Sequence, residues 1–209
     1  MSKYYNNNYH FTSPLVEGEK VLWDSKPKKN AYILNQILTM MPFALIWLLF
    51  DSVFIIAFLA TGQLQEALFI VIPFFAIHLM PVWIWLANAL TANKKWTNTV
   101  YYITDRRIII QSGLIGIDYK TIYFKDIKDV TLNIGFVDKL LGVGDIHFSL
   151  NGSRTSSFLD IKNPYEVYPK IQKIVLDMQT DMSYPNALRP EENPGYNTQY
   201  NPENPIKFE

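Results

Sequence analysis

Residues 37–90 read ILTMMPFALIWLLFDSVFIIAFLATGQLQEALFIVIPFFAIHLMPVWIWLANAL, and no soluble pattern accounts for them. Ile37–Ala60 holds 24 residues with one charge, Asp51; Ala67–Leu90 holds another 24 with no formal charge, interrupted by His78 and Asn88. As helices rising 1.5 Å per residue, each run reaches roughly 36 Å, enough to cross a hydrocarbon core of about 30 Å with some tilt. The gap between them, Thr61-Gly62-Gln63-Leu64-Gln65-Glu66, is short enough to force the second helix back antiparallel to the first. A pair of core helices in a soluble protein would carry polar residues at helical spacing on an outer face. Here the apolar character runs all the way round. The stretch also begins too far into the chain, and runs too long, for a signal-peptide core. Pro42, Pro73 and Pro81 fit a spanning helix, whose freed carbonyls find partners in neighbouring side chains. The expectation is a two-helix transmembrane hairpin.

The flanks set its orientation. Lys20, Lys26, Lys28 and Lys29 precede the first run, Lys94, Lys95, Arg106 and Arg107 follow the second, and the loop between has no Lys or Arg. Cytoplasmic flanks carry the positive charge, so a multi-pass protein of the cell (inner) membrane is expected, with N- and C-termini cytoplasmic. Trp83, Trp85 and Trp96 fall towards the cytosolic end of the second run, as an interfacial aromatic belt does.

The totals exclude several classes. Zero formal net charge leaves no basic excess for a nucleic-acid partner. The absence of cysteine removes thiol catalysis, disulfides and sulfur-ligated metals, and three histidines (His10, His78, His147) argue against a multi-histidine centre. No metal, no cofactor and no enzymatic activity are expected. His147 with Ser149 and Asp145 nearby lacks the third partner and oxyanion turn that a hydrolase needs.

Outside residues 37–90 the period changes. Met1–Ser13 is a loose polar and aromatic terminus, and Glu19–Asp24 reads as an added strand. Val100–Ile103 and Arg107–Gln111 flank a tight turn at Thr104-Asp105-Arg106, and Tyr119–Phe124 follows. Val130, Leu132 and Ile134 alternate with polar residues, as do Ile146, Phe148 and Leu150. Phe136–Leu141 reads as a short helical turn closed by Gly142-Val143-Gly144. Asn151-Gly152 is a two-residue hairpin signal, after which Thr155–Ile161 pairs back. Asn163 and Pro164 open a last helix whose stripe is Val167, Ile171, Ile174 and Met178. Residues 183–209, with Pro185, Pro190, Pro194, Pro202 and Pro205, read as a disordered tail; Asn193-Pro194-Gly195-Tyr196 within it spells a peptide-binding signature, read here as chance. The organisation is an N-terminal cytosolic segment (1–30), a hairpin (31–93), an α+β domain (94–182) of about seven antiparallel strands with one C-terminal helix, and the tail.

Tyr101-Tyr102-Ile103-Thr104-Asp105-Arg106-Arg107-Ile108-Ile109, Gly113-Leu114-Ile115-Gly116, Phe124–Val130 and Lys139-Leu140-Leu141-Gly142-Val143-Gly144-Asp145-Ile146 together resemble the bacterial pleckstrin-homology-like domain family. Glu19-Lys20-Val21-Leu22-Trp23 is similar to the segment preceding the membrane hairpin in that family's membrane-bound members. The resemblance covers roughly residues 15–178. It implies a bent β-barrel capped by a C-terminal helix, held at the cytosolic membrane face, and it implies no activity, because fold and function separate readily.

Two sets of candidate residues follow. Asp51 and His78 fall at matching depth, roughly 14–17 Å below the outer ends of their helices, where ionisable groups are costly and mark either a structural pair or a path. Lys26, Lys28, Lys29, Lys94, Lys95, Arg106 and Arg107 are candidate contacts for anionic lipid head groups. The expected partners are the lipid bilayer, anionic lipid, and a protein partner or a second copy of the chain. The expected role is a non-enzymatic, lipid-sensing interaction or scaffold module. The alternative is a subunit of a membrane transport or export assembly, with Asp51 and His78 in its path.

Overall fold

Hydrophobic period changes twice along the chain, and the architecture changes with it. The structure is a computed structural model that describes residues 14–62, 64–152 and 154–183; the expected loose N-terminus (1–13), nearly all of the expected tail and its Asn-Pro-Gly-Tyr motif lie outside them. The described chain forms two units, residues 32–94 and residues 14–31 with 95–183.

The first unit is helical. α1 (Lys29–Thr61) runs unbroken through Pro42 for 33 residues, about 50 Å at helical rise. The most apolar 18-residue window of its portion Lys29–Ala60 has a mean hydropathy of 2.5, and that portion is long and apolar enough to cross a membrane. The second apolar run is not one helix. It divides into α2 (Leu64–His78) and α3 (Met80–Asn98), with a bend of 54° between their axes at Leu79. Pro81 explains the division: it has no N–H to return to the Ile77 carbonyl, and its ring crowds that carbonyl. The single helix expected over Ala67–Leu90 is therefore corrected to a bent pair.

The second unit is built on strands. Before the helices lies β1 (Val21–Ser25); after them come β2 (Val100–Thr104), β3 (Arg107–Ser112), β4 (Asp118–Tyr123), β5 (Ile127–Asn133), α4 (Phe136–Leu141), β6 (Val143–Leu150), β7 (Arg154–Lys162) and α5 (Pro164–Ser183). They make two antiparallel sheets, β1-β2-β3-β4 and β5-β6-β7, the seven strands and closing C-terminal helix expected of the PH-like domain. Alternation along β6 sends Ile146 and Phe148 inward and leaves His147 and Ser149 half-buried on the other face. α5 adds Ile171, Ile174, Val175 and Met178 to the same core. Asn163, with φ of 51°, turns the chain into it: a residue before proline is driven out of the right-handed helical region, and asparagine tolerates the left-handed one. β2 is buried along its whole length because its outer face, with Val100 and Tyr102, is covered by Leu15 and Val21. The Tyr101 hydroxyl links the sheets by accepting the Leu159 N–H at 3.0 Å.

Register gives this unit two ends. Val100 pairs with Gln111, so the β3–β4 turn lies beside the end of α3, where the Asn98 amide donates to the Gly113 carbonyl at 3.2 Å. Lys28, just before α1, donates its backbone N–H to Asp160 and its Nζ to Leu141 at the end of α4. We call this the neck end. The β2–β3 turn, the Asn151-Gly152 hairpin and the last turns of α5 form the far end, where Gln179 donates to the Phe124 and Ile127 carbonyls.

Gly113 carries the tightest point of the neck end. Its φ is +148°, and a Cβ there would stand 2.2 Å from the Gly116 carbonyl oxygen. Gly113→Ala is expected to destabilise this unit by about 1–3 kcal/mol, read as a lowered thermal midpoint; an unchanged midpoint would contradict the turn described.

Candidate functional site

Asp51 on α1 and His78 at the end of α2 are in contact. The imidazole Nδ1 stands 2.9 and 3.1 Å from the two carboxylate oxygens. The Asp51 side chain is 1% exposed and that of His78 31%. The ring lies between Trp47 and Phe74, with centroids at 5.2 and 4.9 Å, the second contact stacked.

The pair sits at the helix break, where carbonyls lose their helical donors. Two of them are recovered by indoles: Trp47 Nε1 donates to the His78 carbonyl at 2.8 Å and Trp83 Nε1 to the Ala76 carbonyl at 3.0 Å. Leu79 N–H still reaches Phe75 at 3.0 Å. Further along, Trp85 Nε1 donates to the Ile37 carbonyl at 2.9 Å, joining α3 to α1. Trp83 and Trp85, read from sequence as belt residues, thus donate into the backbone of their own unit. A proline with a tryptophan two residues on was the available signal for the break. A cycle of Asp51→Asn, His78→Ala and the double variant should show a coupling energy of about 0.5 kcal/mol or more in detergent unfolding; strictly additive effects would contradict a working contact.

The basic candidates divide by position. At the neck, Lys26 Nζ donates to the Thr97 carbonyl at 2.8 Å and lies 5.0 Å from the Trp96 ring centre; Lys29 lies 5.1 Å from the same ring. Trp96 Nε1 donates to the Pro27 carbonyl at 2.8 Å, and Lys28 Nζ to Leu141 at 2.6 Å. Burial holds the Lys26 ammonium below its usual range. Lys94 is exposed and Lys95 half-buried on the last turns of α3.

Arg106 and Arg107 lie elsewhere, at the far end, some five strand residues (about 16 Å) along β2 from its start. Arg107 forms a fork with Glu19, Nε to Oε1 at 2.9 Å and Nη2 to Oε2 at 2.8 Å, and also donates to the Pro14 carbonyl. Its charge is matched inside the fold, and Arg106, on the same turn, lies at the far end and not at the neck. Burial tends to raise the Glu19 carboxyl, but hydrogen bonds from Arg107, the Val16 N–H and Thr104 outweigh it and hold the group below its ordinary value. The Glu19–Arg107 pair escaped the sequence reading because its partners are 88 residues apart.

His147 Nδ1 lies 2.6 Å from the Ser157 hydroxyl across the β6–β7 pair, a partner different from the Ser149 read from sequence. A cleft of about 400 Å³ at the far end is lined by Thr121, Ile122, Asp126, Leu150, Asn151, Gly152 and Arg154; its opposed charges select no ligand class. Among the described residues no group of three His, Asp or Glu could hold a metal ion.

The family model described as the bacterial PH domain matches residues 39–175. No curated protein and no solved structure matches the chain. The match runs from α1 to the middle of α5 and takes in every strand but β1, and these antiparallel strands and their closing helix are the architecture that the model's name denotes. More than half of the chain lies within it, and the chain belongs to the bacterial PH domain family.

Proposed function

We propose that this protein is a membrane-anchored PH-like module that serves as a non-enzymatic interaction or scaffold unit at the cytosolic membrane face, with anionic lipid among its contacts. In this reading α1 crosses the bilayer once and the bent α2–α3 pair returns as one broken span, leaving both termini in the cytosol. The observation that carries it is the outward-facing apolar surface of α1: its most apolar window is 11% buried within the fold, and Leu49 and Ile46 are 70% and 68% exposed. That surface calls for hydrocarbon, since soluble chains rarely leave large contiguous apolar patches exposed. The indole caps on the His78 and Ala76 carbonyls support a break at membrane depth, where no water would satisfy them. Alkaline carbonate washing of membranes is expected to leave the intact protein in the pellet; its release would overturn the reading.

The Asp51–His78 contact favours a second reading, a subunit of a transport or export assembly with the pair in its path. Proton or ion flux through proteoliposomes that is abolished by Asp51→Asn would establish it in place of the scaffold role. Equal flux from parent and variant would remove it.

A further inference from the structure

Three exposed apolar side chains on the strand-built unit gather at its neck end. On α4, Phe136 and Leu140 are 80% and 73% exposed. With exposed Lys139 they share one helix face, at i, i+3 and i+4. On the β3–β4 turn, Ile115 is 97% exposed. Each tip is fastened to a point where the chain passes into an apolar helix. Lys28, one residue before α1, holds the Leu141 carbonyl at the end of α4. Asn98, the last residue of α3, holds the Gly113 carbonyl two residues before Ile115. The two chain passages are themselves tied together by Trp96 to Pro27 and Lys26 to Thr97.

We infer that α4 and the β3–β4 turn are lipid-contacting tips, and that Phe136, Leu140 and Ile115 enter the head-group and upper acyl region of the inner leaflet. The inference rests on the membrane reading proposed above and adds a second, peripheral contact to it. The chemistry suits a bilayer surface better than a protein groove. Apolar side chains enter the interface while Lys139 keeps its ammonium at the phosphates by extending its stem, and Lys28, Lys29 and Trp96 sit at the same neck, the composition of a membrane-water boundary. α4 is six residues, about 9 Å long, so Phe136 and Leu140 stay within one side chain's reach and one helix length of the Lys28 anchor. The contact would fix how the unit faces the bilayer and leave its far end, with the Asn151-Gly152 hairpin, turned to the cytosol.

The absence of native cysteine allows a direct test on the full chain in vesicles of phosphatidylethanolamine and phosphatidylglycerol. Single cysteines replacing Leu140, Ile115, Leu49 and Met182 are labelled with a polarity-sensitive fluorophore. They are then challenged with lipids bearing a nitroxide high or low on the acyl chain. Labels at 140 and 115 are expected to show blue-shifted emission quenched by the shallow nitroxide. The label at 49 should be quenched by the deep one, and the label at 182, on the far end and 53% exposed, should emit as in water. Water-like emission at 140 or 115, with 49 still quenched, overturns this inference and leaves the membrane reading intact. Equal quenching at 182 also overturns it, because the unit would then have no preferred face. Water-like emission at 49 removes the membrane reading and this inference with it.

Discussion

Glu19→Gln is expected to destabilise the strand-built unit by about 3 kcal/mol, near the lower end of what removing one partner of a buried ion pair costs. The carboxylate side chain is fully buried, whereas the guanidinium of Arg107 keeps 15% exposure and its bond to Pro14, which softens the loss. Glutamine keeps the shape and one acceptor but leaves the Arg107 charge unmatched. The effect should concentrate on the β1 edge, since Glu19 also accepts the Thr104 hydroxyl at 2.7 Å and the Val16 N–H at 2.8 Å. Hydrogen exchange should show β1 and the segment over Val100 and Tyr102 opening before the β5–β7 sheet. The pH dependence carries a definite sign. The folded-state value of Glu19 is lowered from 4.5, so its stabilisation is complete above that value and is lost as pH falls below it, through the folded-state value. Asp145 works in the opposite direction: burial, partly offset by the Asp160 N–H and reinforced by Asp138, raises it, so its protonation favours the fold in acid. The acid-side loss that is present in the parent and absent from Glu19→Gln therefore belongs to the pair. Identical acid profiles for the two proteins would contradict this account.

Phe158→Ala should cost about 3–5 kcal/mol, the range for emptying a large buried aromatic site. The ring is fully buried. It stacks on Tyr101 at 4.6 Å and Trp23 at 5.6 Å and meets the edge or face of Phe148 at 4.9 Å, so one side chain on β7 joins β1, β2 and β6. Each aromatic pair adds about 0.5–1.5 kcal/mol beyond area burial. Because Trp23 and Tyr101 belong to one sheet and Phe148 and Phe158 to the other, the cavity falls between the sheets. Collapse around it would have to move whole strands. Phe158→Leu, which refills part of the volume, should recover a large share of the loss. Tryptophan fluorescence and thermal unfolding of the full chain in detergent read both variants; a cost below about 1 kcal/mol for alanine would mean that the two sheets do not share this core.

What could be read from the residues alone was local. Phe136–Leu141 is a helix because Asp138 caps the Gly135 N–H and Gly142 leaves in the left-handed region, both short-range devices visible in sequence. Asn151-Gly152 marks the β6–β7 turn, with Gly152 at φ of 84°. Leu150 pairs with Arg154, however, so the loop is longer than the two residues expected, and Asn151 stays outside the left-handed region. Alternation located β5 and β6. Equal depth, counted along two helices, brought Asp51 opposite His78. Geometry at longer range was not legible. Hydropathy averaged over Ala67–Leu90 carries no information about axis direction, so the 54° bend at Leu79 went unread even though Pro81 was in view. Charge counting placed Arg106 and Arg107 with the neck lysines because it ignores which end of a strand a turn occupies. The glutamate that claims Arg107 stands 88 residues away. Trp47 and Trp83 as carbonyl caps depend on the bend and were hidden with it.

In the topology we propose, residues 29–98 carry the chain out across the bilayer and back, so that both ends lie on one side. Its most direct measurement is protease protection of a doubly tagged protein, with one tag before Met1 and another after Glu209, in sealed vesicles of known orientation. Both tags should be protected in right-side-out vesicles and both cleaved in inside-out ones. Cleavage of one tag from each side would contradict the account.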